Sequence, residues 1–446
     1  MPGAVIVEDV RRESRAEGAG ISARVRIESD LENPPALPDR TWVRVPAAYG
    51  DWLAEDADAF VPTAYLLASR LRLSLRVPDG ISRRLLEALP AIGELFEEWC
   101  ADQPKKYVAP PVESAPVVRT PSGTQAVAFF SGGVDSMFTL AQNLRRFGPS
   151  DSRALRALLL VHGFDISLDD RTRFDATLEA LRPLAARRHL PLIPVTTNLQ
   201  LLVAHDDWGR YAHGPALAQV ALALGGGVHT VFVASTAPYT RLKPNGSHPA
   251  LDQLWSSERV EIVHDGAELS RFQKIGRLTA DRDLLDSLRV CWKNVGDAYN
   301  CGRCEKCLRT MVGLTLFGIP EGAAPFPPLE HGVLDRLTIP SNVQYHWREM
   351  LRWCTKHPAE PPLVASLERI VARQDRPPRD ERDSRALGWI DAVARRAGWI
   401  RRAGAAADRL VFAGRFRRAL WERHTREVVK ERAALHPHEL PGRRRS

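Results

Sequence analysis

The stretch that constrains this chain most is Phe129-Phe130-Ser131-Gly132-Gly133-Val134-Asp135-Ser136, a glycine turn between the apolar run Ala126 to Phe130 and the helix-like segment Met137 to Leu144. A buried strand that turns through Ser-Gly-Gly into a helix aims several backbone N–H groups, and the positive end of the helix dipole, at one point. Such a point suits a phosphate. Two glycines permit close backbone approach, Ser131 and Ser136 supply hydroxyls, and Asp135 could hold a divalent cation beside the phosphates. Glycine pairs after strands also serve as plain turns. The chain has no GxxxxGK(S/T) string, so the Walker type of phosphate loop is excluded.

From about 125 to 235, short apolar runs alternate with helical segments, which predicts a doubly wound α/β domain with a parallel sheet. The strands are Ala126 to Phe130, Ala157 to Val161, Leu192 to Val195 and Thr230 to Ala234, with helices near Val134 to Arg146, Asp169 to Arg188 and Pro215 to Leu224. Open sheets of this kind bind ligands at the carboxyl ends of their strands. After the second strand come His162, Gly163, Phe164 and Asp165, which are either site residues or ordinary loop polar groups. Gly214, within Tyr211 to Pro215, opens a helix whose N-terminal amides could add a phosphate or sugar contact. Tyr239 to Arg289 carries many polar groups on what read as loops. Arg271, Lys274 and Lys243 there are candidates to clamp a triphosphate, against the common alternative of surface charges.

Residues 1–120 read as a separate accessory α/β unit. Strands are expected at Ala4 to Val10, Ser22 to Glu28, Thr41 to Val45 and Leu71 to Val77, with helices at Asp58 to Leu71 and Ser82 to Cys100. The second helix carries Leu85, Leu86, Leu89, Ile92, Leu95 and Phe96 on one face. Prolines thicken between Pro104 and Pro121, which marks the first boundary. The next unit runs over 121–318, and 319–446 reads as a helical, basic C-terminal region, with helices at Tyr345 to Lys356 and Pro362 to Arg373 and a further apolar helical spacing from Leu387 to Ile400.

The 446 residues carry a net charge of +8, but Glu381 to Ser446 holds 17 Lys and Arg against 8 Asp and Glu. The basic balance therefore describes a tail, which is either a solvated face or a surface for nucleic acid or an acidic partner. No apolar run approaches the roughly 20 residues that span a bilayer, and Met1 to Arg15 shows no secretory pattern, so a cytoplasmic protein without membrane contact is expected.

Four of the six cysteines, Cys291, Cys301, Cys304 and Cys307, lie in one short segment with C-x9-C-x2-C-x2-C spacing. Four thiolates so spaced can close a tetrahedral Zn²⁺ site, with Gly302 easing the knuckle; the CxxCxxC part could alternatively hold an iron–sulfur cluster. A four-thiolate zinc site has no open position, so the metal is expected to be structural.

The SGGVDS string resembles the PP-loop of the ATP pyrophosphatases, which split ATP to AMP and pyrophosphate. Together with the cysteine pattern some 155 residues later, it is similar to QueC, the 7-cyano-7-deazaguanine synthase family, over roughly residues 125 to 312. The resemblance implies adenylation of the carboxylate of 7-carboxy-7-deazaguanine, transfer to ammonia, and dehydration of the amide to a nitrile. It implies that Ser131, Gly132, Gly133, Val134, Asp135 and Ser136 hold ATP and Mg²⁺, with His162 and Gly163 near the base or ribose and Cys291, Cys301, Cys304 and Cys307 on zinc. The chain is about twice the housekeeping length and its loops at Asn245 to Pro249 and His264 to Arg271 depart from the family pattern. Both features are closer to extended QueC-like proteins of anti-phage gene clusters, where the activated deazaguanine can be joined to a protein. Two other functions remain open from the residues: a PP-loop tRNA sulfurtransferase, which needs a free thiol, and a nucleotide-binding scaffold subunit without chemistry.

Overall fold

The computed structural model describes residues 3–15, 18–100, 107–203, 207–294 and 298–374; the basic tail and the helical spacing from Leu387 to Ile400 lie outside them. Ten strands form one sheet: β1 (Gly3–Arg15), β2 (Gly18–Ser29), β3 (Thr41–Val45), β4 (Ser74–Ser82), β5 (Val112–Val117), β6 (Gln125–Phe129), β7 (Leu155–His162), β8 (Leu192–Thr197), β9 (Val228–Ala234) and β10 (Glu261–Asp265). Their order is β10-β9-β6-β7-β8-β3-β2-β1-β4-β5. The five strands from β10 to β8 pair in parallel. The β8–β3, β3–β2 and β2–β1 pairings are antiparallel, and β1, β4 and β5 pair in parallel again. The protein is thus α/β on a mostly parallel sheet.

Side chains alternate across the central strands and find cover on both faces, as parallel strands require. On one face Val127, Phe129, Ala157, Leu159, Val231 and Val233 share a core with helices α1 (Val61–Leu71), α2 (Arg83–Trp99) and α5 (His213–Ala223). On the other, Ala126, Ala128, Leu158, Leu160 and Phe232 pack against α3 (Val134–Arg146) and α4 (Arg171–Arg187). Within α2, Leu85, Leu89, Ile92 and Phe96 are the buried stripe, and Ser82 caps its start by accepting from the Leu85 amide.

The N-terminal segment does not stand apart from this sheet. β3 pairs antiparallel with β8 over only two register pairs, Val43 with Thr197 and Arg44 with Thr196, and side chains complete the seam. Asn198 Oδ1 accepts from the Trp42 amide at 2.9 Å, its Nδ2 donates to the Arg40 carbonyl at 2.9 Å, and Thr197 Oγ1 donates to the Trp42 carbonyl at 2.7 Å. Residues of β1 to β4 share one hydrophobic core with β6, β7 and β9.

Two segments differ from the sequence pattern. Val112–Val117, inside the proline-rich stretch expected as a linker, is the edge strand β5; an edge position needs no N–H from Pro116 on its outer side. Tyr239 to Arg289, expected as loops, contains β10 and a helix, α6 (Arg271–Leu278), whose start carries a capping box of Ser270 and Gln273.

The β3–β8 seam carries a measurable load. Asn198→Ala removes both backbone contacts of a buried amide side chain and should cost about 2–3 kcal/mol. Urea unfolding should show a lower midpoint with an unchanged slope; an unchanged midpoint would mean that the strand pairing alone joins the two parts of the sheet.

Candidate anion site and metal centre

β7 lies on one side of β6 and β9 on the other, so strand order reverses at β6, and the crevice outside its carboxyl end is the place where open sheets take ligands. The SGGVDS turn fills that position. Gly132 has φ +77°, and a Cβ there would lie 2.9 Å from Leu181, so only glycine suits the turn. Gly133 is the N-cap of α3 and no side chain caps its first amides. The two hydroxyls are held locally: Ser136 Oγ donates to the Gly133 carbonyl at 3.0 Å, and the Gly133 amide points to Ser131 Oγ at 3.4 Å.

Asp135, in the first turn of α3, is ion-paired with Arg271 and, at 3.4 Å, with Lys274 Nζ. Both cations come from α6, so two residues of a segment expected as loop sit on one helical face at i and i+3. Lys274 is fully buried and donates to the Ser235 carbonyl at 2.5 Å, at the end of β9. Burial would raise the Asp135 pKa, but Arg271 and then Lys274 outweigh it and hold the carboxyl below its ordinary value. Burial lowers the Lys274 pKa, with Asp135 opposing, while for Arg271 the pull of Asp135 exceeds the burial penalty and raises it.

Two more cations arrive from α7 (Glu305–Leu316). Arg309 is 3% exposed, and burial followed by the Arg271 charge pushes its pKa down to about 10. The Lys306 pKa is also lowered, first by burial with Asp165 opposing, and it too feels Arg271, Arg309 and, more weakly, Asp135. Glu305 bonds Arg309 Nη2 at 3.3 Å. A further helix, α8 (Gln344–Cys354), packs over this group: Trp347 Nε1 donates to Glu305 at 3.1 Å and Ser270 Oγ donates to Glu349 at 2.5 Å. Arg309 and Lys306 were not singled out in the sequence, and α8 was expected there as a helix, over Tyr345 to Lys356, but not as part of the site. Arg309 carried a signal, since it lies two residues beyond the last clustered cysteine and one helical turn after Glu305; Tyr345 to Glu349 read only as amphipathic helix.

The Sγ atoms of Cys291, Cys301, Cys304 and Cys307 all lie within 4.8 Å of one another. Cys301 and Cys307 are 3.9 Å apart, close to the ~3.8 Å edge of a tetrahedron with ~2.3 Å zinc–sulfur bonds. The four thiols could hold a metal ion such as zinc. Gly302, at φ +65°, makes the knuckle turn, and Cys304 is the N-cap of α7. Buried Asn300 knits the cysteine segments together: its Oδ1 accepts from the Val290 and Cys291 amides at 2.9 and 3.2 Å, and its Nδ2 donates to the Leu288 and Pro325 carbonyls. Two residues before Cys291, the Arg289 amide donates to the Gly132 carbonyl at 2.8 Å. The thiol cluster therefore braces the glycine turn on one side and carries α7, with Lys306 and Arg309, on the other.

The structure thus brings Ser131 to Ser136, Arg271 and Lys274 together. Lys243 lies beside Arg241 instead. His162 is buried, its ring stacked on Phe174 at 4.3 Å and its Nε2 against the Ser167 carbonyl at 2.8 Å, which is a packing role. Gly163, at φ +103°, leaves no room for a Cβ against the Thr197 carbonyl. Gly214 abuts the Gly246 carbonyl, and α5 continues directly from the turn Trp208–Ala212, so Gly214 serves close packing rather than a free helix start.

Two measurements test this geometry. The purified chain should hold about one zinc by elemental mass spectrometry, and Cys307→Ser should lose it and lower the thermal midpoint. Because Asp135 has a folded pKa below its unfolded value, its ion pairs stabilise the fold above that value and are lost as pH falls through the folded pKa. Asp135→Asn should therefore be less stable than the parent near about pH 7, with the gap closing toward about pH 3. A gap that widened on acidification would contradict the pairing. Comparison of the chain with family models, with curated proteins and with solved structures yields no match.

Proposed function

We propose that this chain is an ATP-dependent enzyme of the PP-loop type, similar to QueC, that adenylates a carboxylate and passes the acyl group to an amine. The observation that carries this is the gathering of cations at the glycine turn: Arg271 and Lys274 pair with Asp135 and Arg309 and Lys306 feel it, with Glu305 as the other acid held within the group and the exposed Asp165 and Glu268 acting on Lys306 and Lys274. A buried excess of cations is costly unless an anion completes it. A triphosphate beside uncapped helix amides is an anion of suitable charge and shape.

In this mechanism the turn amides and the Ser131 and Ser136 hydroxyls bind phosphate oxygens. Asp135, held ionised, is the residue that would hold Mg²⁺, which supplies further charge neutralisation on the leaving pyrophosphate when bound. A carboxylate oxygen attacks the α-phosphorus as the bond to the β-phosphate oxygen breaks, and Arg271 and Lys274 stabilise the charge that builds on pyrophosphate. The amine nitrogen then attacks the acyl carbon, AMP leaves with the bridging oxygen, and the nitrogen loses a proton. No side-chain nucleophile is needed. The four thiols would hold zinc in a closed structural site, which supports this chemistry over sulfur transfer, where a free thiol is required. The choice of a deazaguanine carboxylate rests on the resemblance of the two motifs, and the acceptor is ammonia or a protein amine.

Incubation with Mg-ATP and 7-carboxy-7-deazaguanine, with and without ammonia, followed by chromatography and mass spectrometry, tests the reaction. AMP and pyrophosphate should appear only with the deazaguanine, and the mass of the new base should distinguish amide, nitrile and an activated species awaiting a protein. Lys274→Met should reduce AMP formation by about 10²–10³-fold while zinc content is unchanged. Folded, zinc-loaded protein that makes no AMP under any condition would sink the deazaguanine substrate. A variant at Asp135 that keeps full biological activity would instead favour a scaffold.

A further inference from the structure

Three strongly buried nitrogen atoms lie on the two helices that flank the cation group. Arg309 Nε and Nη1, and His346 Nδ1, have no hydrogen-bond partner among the described residues, although Arg309 is 3% and His346 1% exposed. Buried polar nitrogens are normally satisfied, and the two guanidinium donors left open here ask for an acceptor. The Arg309 fork is fixed from its far end, because Nη2 bonds Glu305 Oε2 and Glu305 Oε1 accepts from Trp347 Nε1 on α8. The His346 ring is held by Tyr345, whose ring centre lies 3.9 Å away. Leu308 and Val312 of α7 pack with Trp347 and Met350 of α8, so the two helices present these donors as one rigid pair.

We propose that Arg309 and His346 form a pyrophosphate seat, separate from the amides of the glycine turn, that receives the β- and γ-phosphates as they leave. This deepens, and rests on, the assignment of the glycine turn to ATP. The charge on the page chooses the ligand. Asp165 and Glu268, which act on Lys306 and Lys274, are exposed to water, so within the group itself Arg271, Lys274, Lys306 and Arg309 face Asp135 and Glu305, and a carboxylate with one negative charge leaves an excess of cations there. Pyrophosphate brings about three at neutral pH and offers several oxygens to a bidentate guanidinium and an imidazole N–H. His346 belongs to a segment beyond the roughly 125 to 312 stretch that carries the motif resemblance, so the C-terminal region supplies part of the site itself.

The test is calorimetric titration of the full, zinc-loaded chain with inorganic pyrophosphate, with AMP and, for the parent, with ATP, each with Mg²⁺ and without substrate. His346→Leu should weaken pyrophosphate binding at least tenfold and leave AMP within twofold. His346→Asn, whose amide nitrogen reproduces the Nδ1 donor, should stay within about threefold of the parent for both ligands. Arg309→Lys, which keeps the charge and loses the fork, should weaken pyrophosphate about tenfold. Equal losses for AMP and pyrophosphate in His346→Leu and Arg309→Lys, or no loss in either, would overturn the seat. If the parent binds ATP yet the variants retain pyrophosphate, this inference fails and the ATP assignment stands. If the parent binds neither ATP nor pyrophosphate, the assignment of the turn fails with it.

Discussion

The interaction on which this molecule turns is the pairing of Asp135 with Arg271 and Lys274, out of water and at the start of α3. It joins the first turn after β6 to a helix that begins more than a hundred residues later. A lone buried carboxylate, or a lone buried ammonium such as Lys274, would be expelled or neutralised. Together they offset each other's burial, Asp135 to the point that its carboxyl lies below its ordinary value and Lys274 only in part, and Arg309 and Lys306 add their charges to the same group. The helix dipole of α3 adds its positive end at the same place.

The thiol cluster works as the mechanical counterpart of that charge group. Through Arg289 it holds the Gly132 carbonyl, and through Cys304 and Cys307 it fixes the first turn of α7, from which Lys306 and Arg309 extend. A four-thiol cluster that could hold a metal would have no catalytic position to offer, but it sets the distance between the glycine turn and the cations of α7. Asn300, bonded to both sides of the cysteine segment, shows how much of that rigidity lies outside the four ligands.

The sheet distributes the same site across the whole chain. β9 ends at the Ser235 carbonyl that receives Lys274, and the Asp265 carbonyl at the end of β10 accepts the Ser235 amide. On the far side, Asn198 and Thr197 attach the N-terminal strands to β8, so one hydrophobic core runs beneath strands from both halves. The C-terminal helix α8 closes over α7 from the other direction.

Local physics made much of this legible in advance. Short apolar runs between helical segments placed β6 to β9, a glycine pair after a strand marked the turn, and cysteine spacing marked the four-thiol cluster, because each signal depends on neighbours close in sequence. Arg271 and Lys274 were legible as charges but not as a helix, since α6 is short and its apolar face is completed only by packing. β5 was hidden for a similar reason: a proline-containing edge strand has little pattern of its own and exists because β4 lies beside it. By itself, the sequence determined an α/β chain with a strand–glycine–helix turn and a four-thiol cluster. Only the tertiary structure decided that the turn, the thiols, α6, α7 and α8 meet at one point, because burial of charge is a property of distant residues brought together.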